Sequence, residues 1–156
     1  MLEQLQSEAR SLGIFDDCVF VPATDRVTTW LRAIDIFVLP SLSEAFSNSL
    51  MEAMACGCCA VASRVGGNPE LVQNGETGLT FEPGDSVGLG AALETLIEDE
   101  SFRERLAAAG TQLIRERFST QAAAEKMAEI YARLIEQSGK LMPLLTRAAR
   151  SYPAVG

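Results

Sequence analysis

The chain contains no histidine. Imidazole is therefore unavailable for metal ligation, and no serine–histidine or cysteine–histidine nucleophile pair can be assembled from these residues. Positive charge is also scarce: 13 lysines and arginines stand against 21 acids, a net charge of −8. Broad nucleic-acid binding, which needs a basic stripe, is excluded on that ground. An anionic ligand would have to be held locally, by backbone amides or a few well-placed cations. No apolar run approaches the ~20 residues of a membrane span. The acidic, helix-like start Met1-Leu2-Glu3-Gln4 shows no signal peptide.

The 156 residues, 47% hydrophobic and 22% charged, suit one globular domain, able to bury roughly two thirds of its unfolded surface. Three of the four cysteines, Cys56, Cys58 and Cys59, crowd into a helix end entering a strand, with Cys18 far away. Such a cluster can bind a soft metal or cycle redox states. Zinc-type paired spacing is absent, so the expectation is small buried hydrophobes in a reducing cytoplasm.

Helical period over residues 2–12 ends at Gly13, and Val19-Phe20-Val21 reads as a short buried strand. Asp25 is expected to cap a helix from about Arg26 to Ala33, followed by a strand formed by Ile34 and Ile36–Leu39. A helix stopped by Gly57 comes next, then a strand at Cys59–Ala62. Asn68 is expected to cap a further helix with Pro69 in its first turn, ahead of a fourth strand at Leu79–Phe81. Helices over about 86–98, 101–117 and 119–136 complete the order.

Short, continuously apolar strands separated by helices predict an α/β fold. It is a doubly wound, Rossmann-like parallel sheet of about four strands with helices on both faces. Ligands bind such sheets beyond the carboxyl ends of the strands, here the loops Pro22–Asp25, Pro40–Asn48, Ser63–Asn68 and the turn after Phe81. Sheets of this class usually begin with a strand and hold five or more, which predicts a domain lacking a β-α-β start. Two segments are expected: a partial domain over 1–136 and a basic tail over 137–156. The tail's Leu141, Leu144, Leu145, Ala148 and Tyr152 keep a helical period with Lys140, Arg147 and Arg150. It suits either packing against a neighbour or weak peripheral contact with a membrane surface.

The densest chemistry lies in Ser43-Glu44-Ala45-Phe46-Ser47-Asn48-Ser49-Leu50-Met51-Glu52-Ala53-Met54-Ala55-Cys56-Gly57. Two carboxylates stand eight positions apart, at either end of a polar turn running into an apolar helix. A helix apolar on all sides is normally buried. A carboxylate on it is costly unless bonded, so Glu52 is expected to be buried and to need a partner, a ligand hydroxyl being one candidate. The amides at about 47–49 open that helix, where a diphosphate is favoured; Ser47, Asn48 and Ser49 can equally serve as helix caps. Gly66 and Gly67 allow either a close backbone approach to a ligand or a plain turn. Arg64 is a phosphate contact or a surface residue.

The segment from Asp35-Ile36-Phe37-Val38-Leu39-Pro40-Ser41 through Glu44-x7-Glu52 and Ala53-Met54-Ala55-Cys56-Gly57 resembles GT-B glycosyltransferases of the retaining family 4 type, in their donor-binding C-terminal half. The likeness continues through Ala62-Ser63-Arg64-Val65-Gly66-Gly67-Asn68-Pro69-Glu70-Leu71-Val72, Asn74-Gly75-Glu76-Thr77-Gly78-Leu79 and Pro83-Gly84-Asp85 to Arg117-Phe118-Ser119. The resemblance implies that Glu52 holds the ribose hydroxyls of a nucleotide sugar. It implies that Glu44, with Phe46, Ser47 and Asn48, contacts the transferred sugar and diphosphate, Glu44 being the catalytic candidate. Ser49, Gly66 and Gly67 complete the donor-binding set. Ala45-Phe46-Ser47 replaces the family's usual Gly-Phe-Gly, Cys59 stands where proline is common, and Pro22 where glycine is.

The function so implied is retaining transfer from a UDP- or GDP-sugar. No cofactor or metal is expected, since Asp-x-Asp is absent and GT-B enzymes generally work without one. The family's phosphate-binding arginine and lysine and its acceptor domain are expected upstream or in a partner chain, leaving the isolated chain weakly active or inactive. The location expected is cytoplasmic, at most peripheral to the inner membrane surface. A non-catalytic nucleotide-sugar-binding module is the alternative, and a sugar-nucleotide epimerase fits the motif series less well.

Overall fold

A computed structural model describes residues 2–150, with side chains through residue 138. Helix α1, Leu2–Ser11, is followed by a 3₁₀ turn at Phe15–Asp17 and a short helix α2, Val27–Leu31. Strand β1, Ile36–Leu39, leads to α3, Asn48–Ala55, and then to β2, Cys59–Ser63. Helix α4, Asn68–Leu71, precedes β3, Gly78–Phe81. The helices α5, Ser86–Glu98, and α6, Glu100–Leu113, run into a π-helical turn at Ile114–Phe118 and then into α7, Thr120–Arg150.

The sheet is parallel, ordered β1-β2-β3, with Ile36 opposite Cys59 and Ala60 opposite Gly78. Central β2 is buried along its whole length, and its side chains alternate between two cores. Ala60 and Ala62 face Leu50 and Met54 of α3, Leu71 of α4 and Ile114. Cys59 and Val61 face Phe81, Leu96 of α5 and Leu106 of α6. A strand covered on both faces has no polar side, which is why Cys59–Ala62 reads as a continuous apolar run. Thr111 of α6 donates to the Met54 carbonyl at 2.8 Å, tying α6 to the helix on the opposite face.

Several expectations are corrected. The described sheet has three strands, because Val19–Val21 forms none: Val19 is 79% exposed and pairs with nothing. A strand exists by its neighbour's hydrogen bonds, and no described strand lies beside this run. Ile34 likewise stays outside β1. Asp25 caps nothing. Arg26 holds the cap position of α2 without a side-chain bond, and the β-branched Val27-Thr28-Thr29 opens a helix of only five residues. Gly67 takes the cap position expected of Asn68, which instead enters the first turn of α4 fully buried. The expected helix over 101–117 stops at Leu113, and α7 runs unbroken across the 136/137 boundary. The tail's side chains, and residues 151–156 altogether, lie outside the described residues.

Asp85 and Asp99 cap α5 and α6, accepting from the amides of Gly88 at 2.9 Å and Phe102 at 2.8 Å. All four cysteines are free thiols, and among the described residues no group of three or more His, Cys, Asp or Glu is placed to hold a metal. Cys58 donates to the Leu31 carbonyl at 3.0 Å. Burial pushes both Cys58 and Cys59 up, the latter to about 11 from an ordinary 9.0. These two thiols stay protonated at neutral pH and pack as small hydrophobes.

The shift at Cys59 has a thermodynamic sign. From about pH 9 to about 11 the unfolded thiol ionises before the folded one. The unfolded state then binds fewer protons, so folding stability falls as pH rises through that window. Urea melts across it should show a declining midpoint, and Cys59→Ala, less stable overall, should show a shallower decline. An identical slope in the variant would remove Cys59 as the cause.

Candidate functional site

The polar side chains gather where the strands end. Ser63, the last residue of β2, donates its hydroxyl to the Ser41 carbonyl at 2.6 Å. Its own carbonyl accepts from the Asn68 side-chain amide at 3.0 Å. The loop after β1 and the start of α4 are thus both tied to one buried serine. Ser41 in turn donates to Glu44 Oε1 at 2.7 Å. Glu44 is half-buried, and its second carboxylate oxygen has no partner among the described residues.

The double glycine lies directly against this loop. The Gly67 amide donates to the Ala45 carbonyl at 2.9 Å, and a side chain on Gly66 would collide with the Glu44 carbonyl. One on Gly67 would meet the Phe46 ring and lie 2.8 Å from the Ala45 carbonyl. Gly66 also adopts φ +51°, in the left-handed region. The close approach these glycines allow is to the chain's own Glu44–Phe46 segment, so they act by shaping the loop that carries Glu44. Arg64, beside them, pairs with Glu82 at 3.3 Å while half exposed, a rim interaction of small energetic weight.

Helix α3 begins at this junction. Ser47 is its N-cap: its hydroxyl accepts from the Leu50 amide at 3.3 Å and lies 3.0 Å from the Ser49 hydroxyl. The amides of Asn48 and Ser49 have no acceptor among the described residues. They sit at the positive end of an eight-residue helix. Both side chains are exposed.

Glu52 does not lie where its apolar neighbours predicted. It is exposed and makes no hydrogen bond or ion pair among the described residues. Only Leu50, Ala53 and Met54 of α3 are buried, and residue 52 points away from that stripe. The remaining apolar surface of α3 faces a second wall instead. Asn48, Met51, Glu52 and Ala55 line an open groove of about 450 Å³, closed opposite by Thr111, Ile114, Arg115, Phe118, Ser119 and Thr120. Asn48, Glu52 and Ala55 share that face at helical spacing, so the groove runs along α3 from its free amides past the carboxylate.

The opposite wall depends on the π-helical turn. One extra residue in the turn lets Ile114 enter the core at 6% exposure, while Phe118 meets Phe46 with ring centroids 5.6 Å apart. Turns of this kind recur at functional sites because they redirect side chains within a helix. Arg115, on the same turn, brings a guanidinium to the groove with no ion pair among the described residues. Arg115 was not singled out from the sequence. The only local signal was Phe118-Ser119, where helical period breaks.

A parallel α/β sheet carrying a loop carboxylate, a helix with free leading amides and an open groove beside a second carboxylate defines half of a GT-B glycosyltransferase architecture. The family model "Glycosyl transferases group 1" matches residues 1–113, and the chain belongs to that family. It is 39% identical over 132 residues to D-inositol 3-phosphate glycosyltransferase 2 of Catenulispora acidiphila, covering 82% of this chain and 30% of that protein. The Anabaena Alr3699/HepE structure in complex with UDP superposes with a TM-score of 0.80 at 27% identity, over 85% of this chain and 36% of the other. The C-terminal domain of a Francisella tularensis group 1 glycosyl transferase, LpcC, gives 0.68 at 28% identity, over 76% of this chain and 62% of that domain. The chain spans about a third of the length of the curated relatives it matches.

The loop contact can be tested against a glycine elsewhere. Gly66→Ala combines left-handed strain of about 1–3 kcal/mol with the collision at Glu44. Gly84→Ala, at φ +80° with open space around it, carries the strain alone. Urea denaturation should show the Gly66 variant losing clearly more stability than the Gly84 variant. Equal losses would show that the Glu44–Phe46 loop does not rest on Gly66.

Proposed function

We propose that the chain is the donor-binding part of a glycosyltransferase that moves a sugar from a nucleoside diphosphate to an acceptor held elsewhere in the enzyme. The carrying observation is the groove along α3, which joins two free amides at a helix N-terminus to an unpaired carboxylate one turn further on. In this reading Glu52 accepts hydrogen bonds from the ribose hydroxyls, charge-assisted and therefore strong once the closed site is dry. The amides at 47–49 receive the diphosphate, whose negative charge grows as the glycosidic bond to phosphate breaks. Arg115, on the facing wall, adds positive charge to the same groove.

Glu44 faces the sugar, its carboxylate oriented by Ser41 and by the loop packing on Gly66 and Gly67. A carboxylate fixed from behind, with one oxygen left over, suits hydrogen bonding to a sugar hydroxyl. Phe46 holds the loop against Phe118. Transfer with retention at the anomeric carbon, a UDP- or GDP-sugar as donor, and chemistry that runs without a bound metal complete the proposal. The acceptor-binding half and the remaining cations belong to the parts of the enzyme beyond this third. No helix among the described residues is long and apolar enough to cross a membrane, and we place the enzyme in the cytoplasm, touching the inner membrane surface at most peripherally.

Steady-state kinetics and calorimetry with UDP- and GDP-sugars, on enzyme carrying its acceptor half, test these roles. Losing a charged hydrogen-bonding partner costs about 1.5–3 kcal/mol, or about 10- to 150-fold in affinity. Glu52→Ala should weaken donor and free-nucleotide binding by that factor. Glu44→Ala should leave nucleotide binding near normal and lower kcat with the full sugar donor. Wild-type donor use in both variants would refute the assignment; donor binding without any transfer would favour a binding module.

A further inference from the structure

The two outer edges of the sheet are treated differently. The edge of β3 is closed by the turn before it: the Thr80 amide donates to Asn74 Oδ1 at 2.8 Å, and the Gly75 amide to the Gly78 carbonyl at 2.8 Å. The edge of β1 has no such cover, for Ile36–Leu39 pairs only with β2. An unpaired edge next to apolar side chains is a template for another strand. The surface leading into β1 is apolar as well. Val19, Val21, Pro22, Val27, Trp30 and Ile34 line an open concavity of about 760 Å³ with no charged side chain in its wall. Helix α1 adds to this imbalance, exposing Leu2, Leu5 and Leu12 while burying only Ala9.

An apolar area of this kind on a chain of net charge −8 marks a contact surface. The LpcC comparison bears on its occupant. The chain accounts for 62% of that C-terminal domain, so over a third of a solved domain of the same architecture has no counterpart here. Parallel strands are joined through crossovers of a dozen or more residues, usually helical, so a strand laid on β1 brings a helix with it. That helix supplies the apolar cover which Val21, Val27 and Trp30 lack.

We propose that a strand–helix segment of the same polypeptide, encoded ahead of Met1, lays its strand parallel to Ile36–Leu39 on the free edge of β1 and its helix over Val21, Val27 and Trp30. The added strand extends the sheet toward Val19–Val21 and offers that run the neighbour it lacks. This assignment rests on the sheet edge and the apolar face, not on the donor-site reading, and stands whether or not Glu52 binds ribose.

Trp30, the chain's single tryptophan, reports on the face directly. The protein of residues 1–156 is compared with the same protein extended upstream by its native coding sequence to the length of a whole C-terminal domain. Extension should shift Trp30 emission to the blue, cut acrylamide quenching several-fold and slow amide hydrogen exchange of Ile36–Leu39 at least tenfold. A second measurement needs only the extended protein. Val21→Lys should lower its melting temperature strongly, whereas Val87→Lys, at a residue 80% exposed on α5, should leave it unchanged.

Unchanged quenching and exchange on extension would overturn the proposal. So would equal effects of the two lysine variants, or an in-frame stop directly upstream. A concentration-dependent blue shift of 1–156 with dimer mass in light scattering would assign the face to a second copy instead. Glu52→Ala should leave all these signals untouched, so the donor reading and this one fail separately.

Discussion

The contact on which the site depends is between two loops at the carboxyl edge of the sheet. Gly66 and Gly67 lie against the backbone of Glu44 and Ala45 closely enough that a methyl group would collide with it. Ser63 holds the same region from beneath, with its hydroxyl on the Ser41 carbonyl and its carbonyl on Asn68. Backbone packed on backbone leaves little freedom, so the direction of Glu44 follows from the meeting of β1 and β2. It does not need a ligand to define it.

That junction also sets where α3 starts. Ser47 turns the chain into the helix and satisfies the Leu50 amide, leaving the two amides before it open. Three residues of α3 bury themselves against the sheet, and its remaining surface meets the π-helical turn across a groove. A regular α-helix through 114–118 would advance the side chains by a different angle at each position. The π turn lets Ile114 stay in the core while Phe118 reaches Phe46. One local irregularity therefore builds the second wall and brings Arg115 to it.

Much of the fold was legible in the residues. The apolar runs Ile36–Leu39, Cys59–Ala62 and Leu79–Phe81 became strands, and Asp85 and the glycine at 57 marked helix limits where they stand. The motif order pointed to a glycosyltransferase, and the chain belongs to that family. Illegible were features that depend on a partner distant in sequence. Val19–Val21 has strand composition and no neighbour to pair with. Asn68 has the character of a cap, yet the carbonyl of Ser63 draws its side chain inward. The apolar ring around Glu52 suggested burial because periodicity cannot say whether the second apolar side of a helix meets a core or an open groove.

The sequence by itself determined the order of elements, the parallel sheet covered on both faces, the absence of imidazole chemistry and the loop–helix unit that carries Glu44 and Glu52. These follow from local pattern: period, turn residues and composition act within a few positions. Only the tertiary structure decided that Glu52 stands exposed on a groove, that the double glycine serves the chain's own loop, and that β1 keeps a free edge. Each of these is set by what lies across from a residue in space. A linear pattern carries the demand for such a neighbour but not its position.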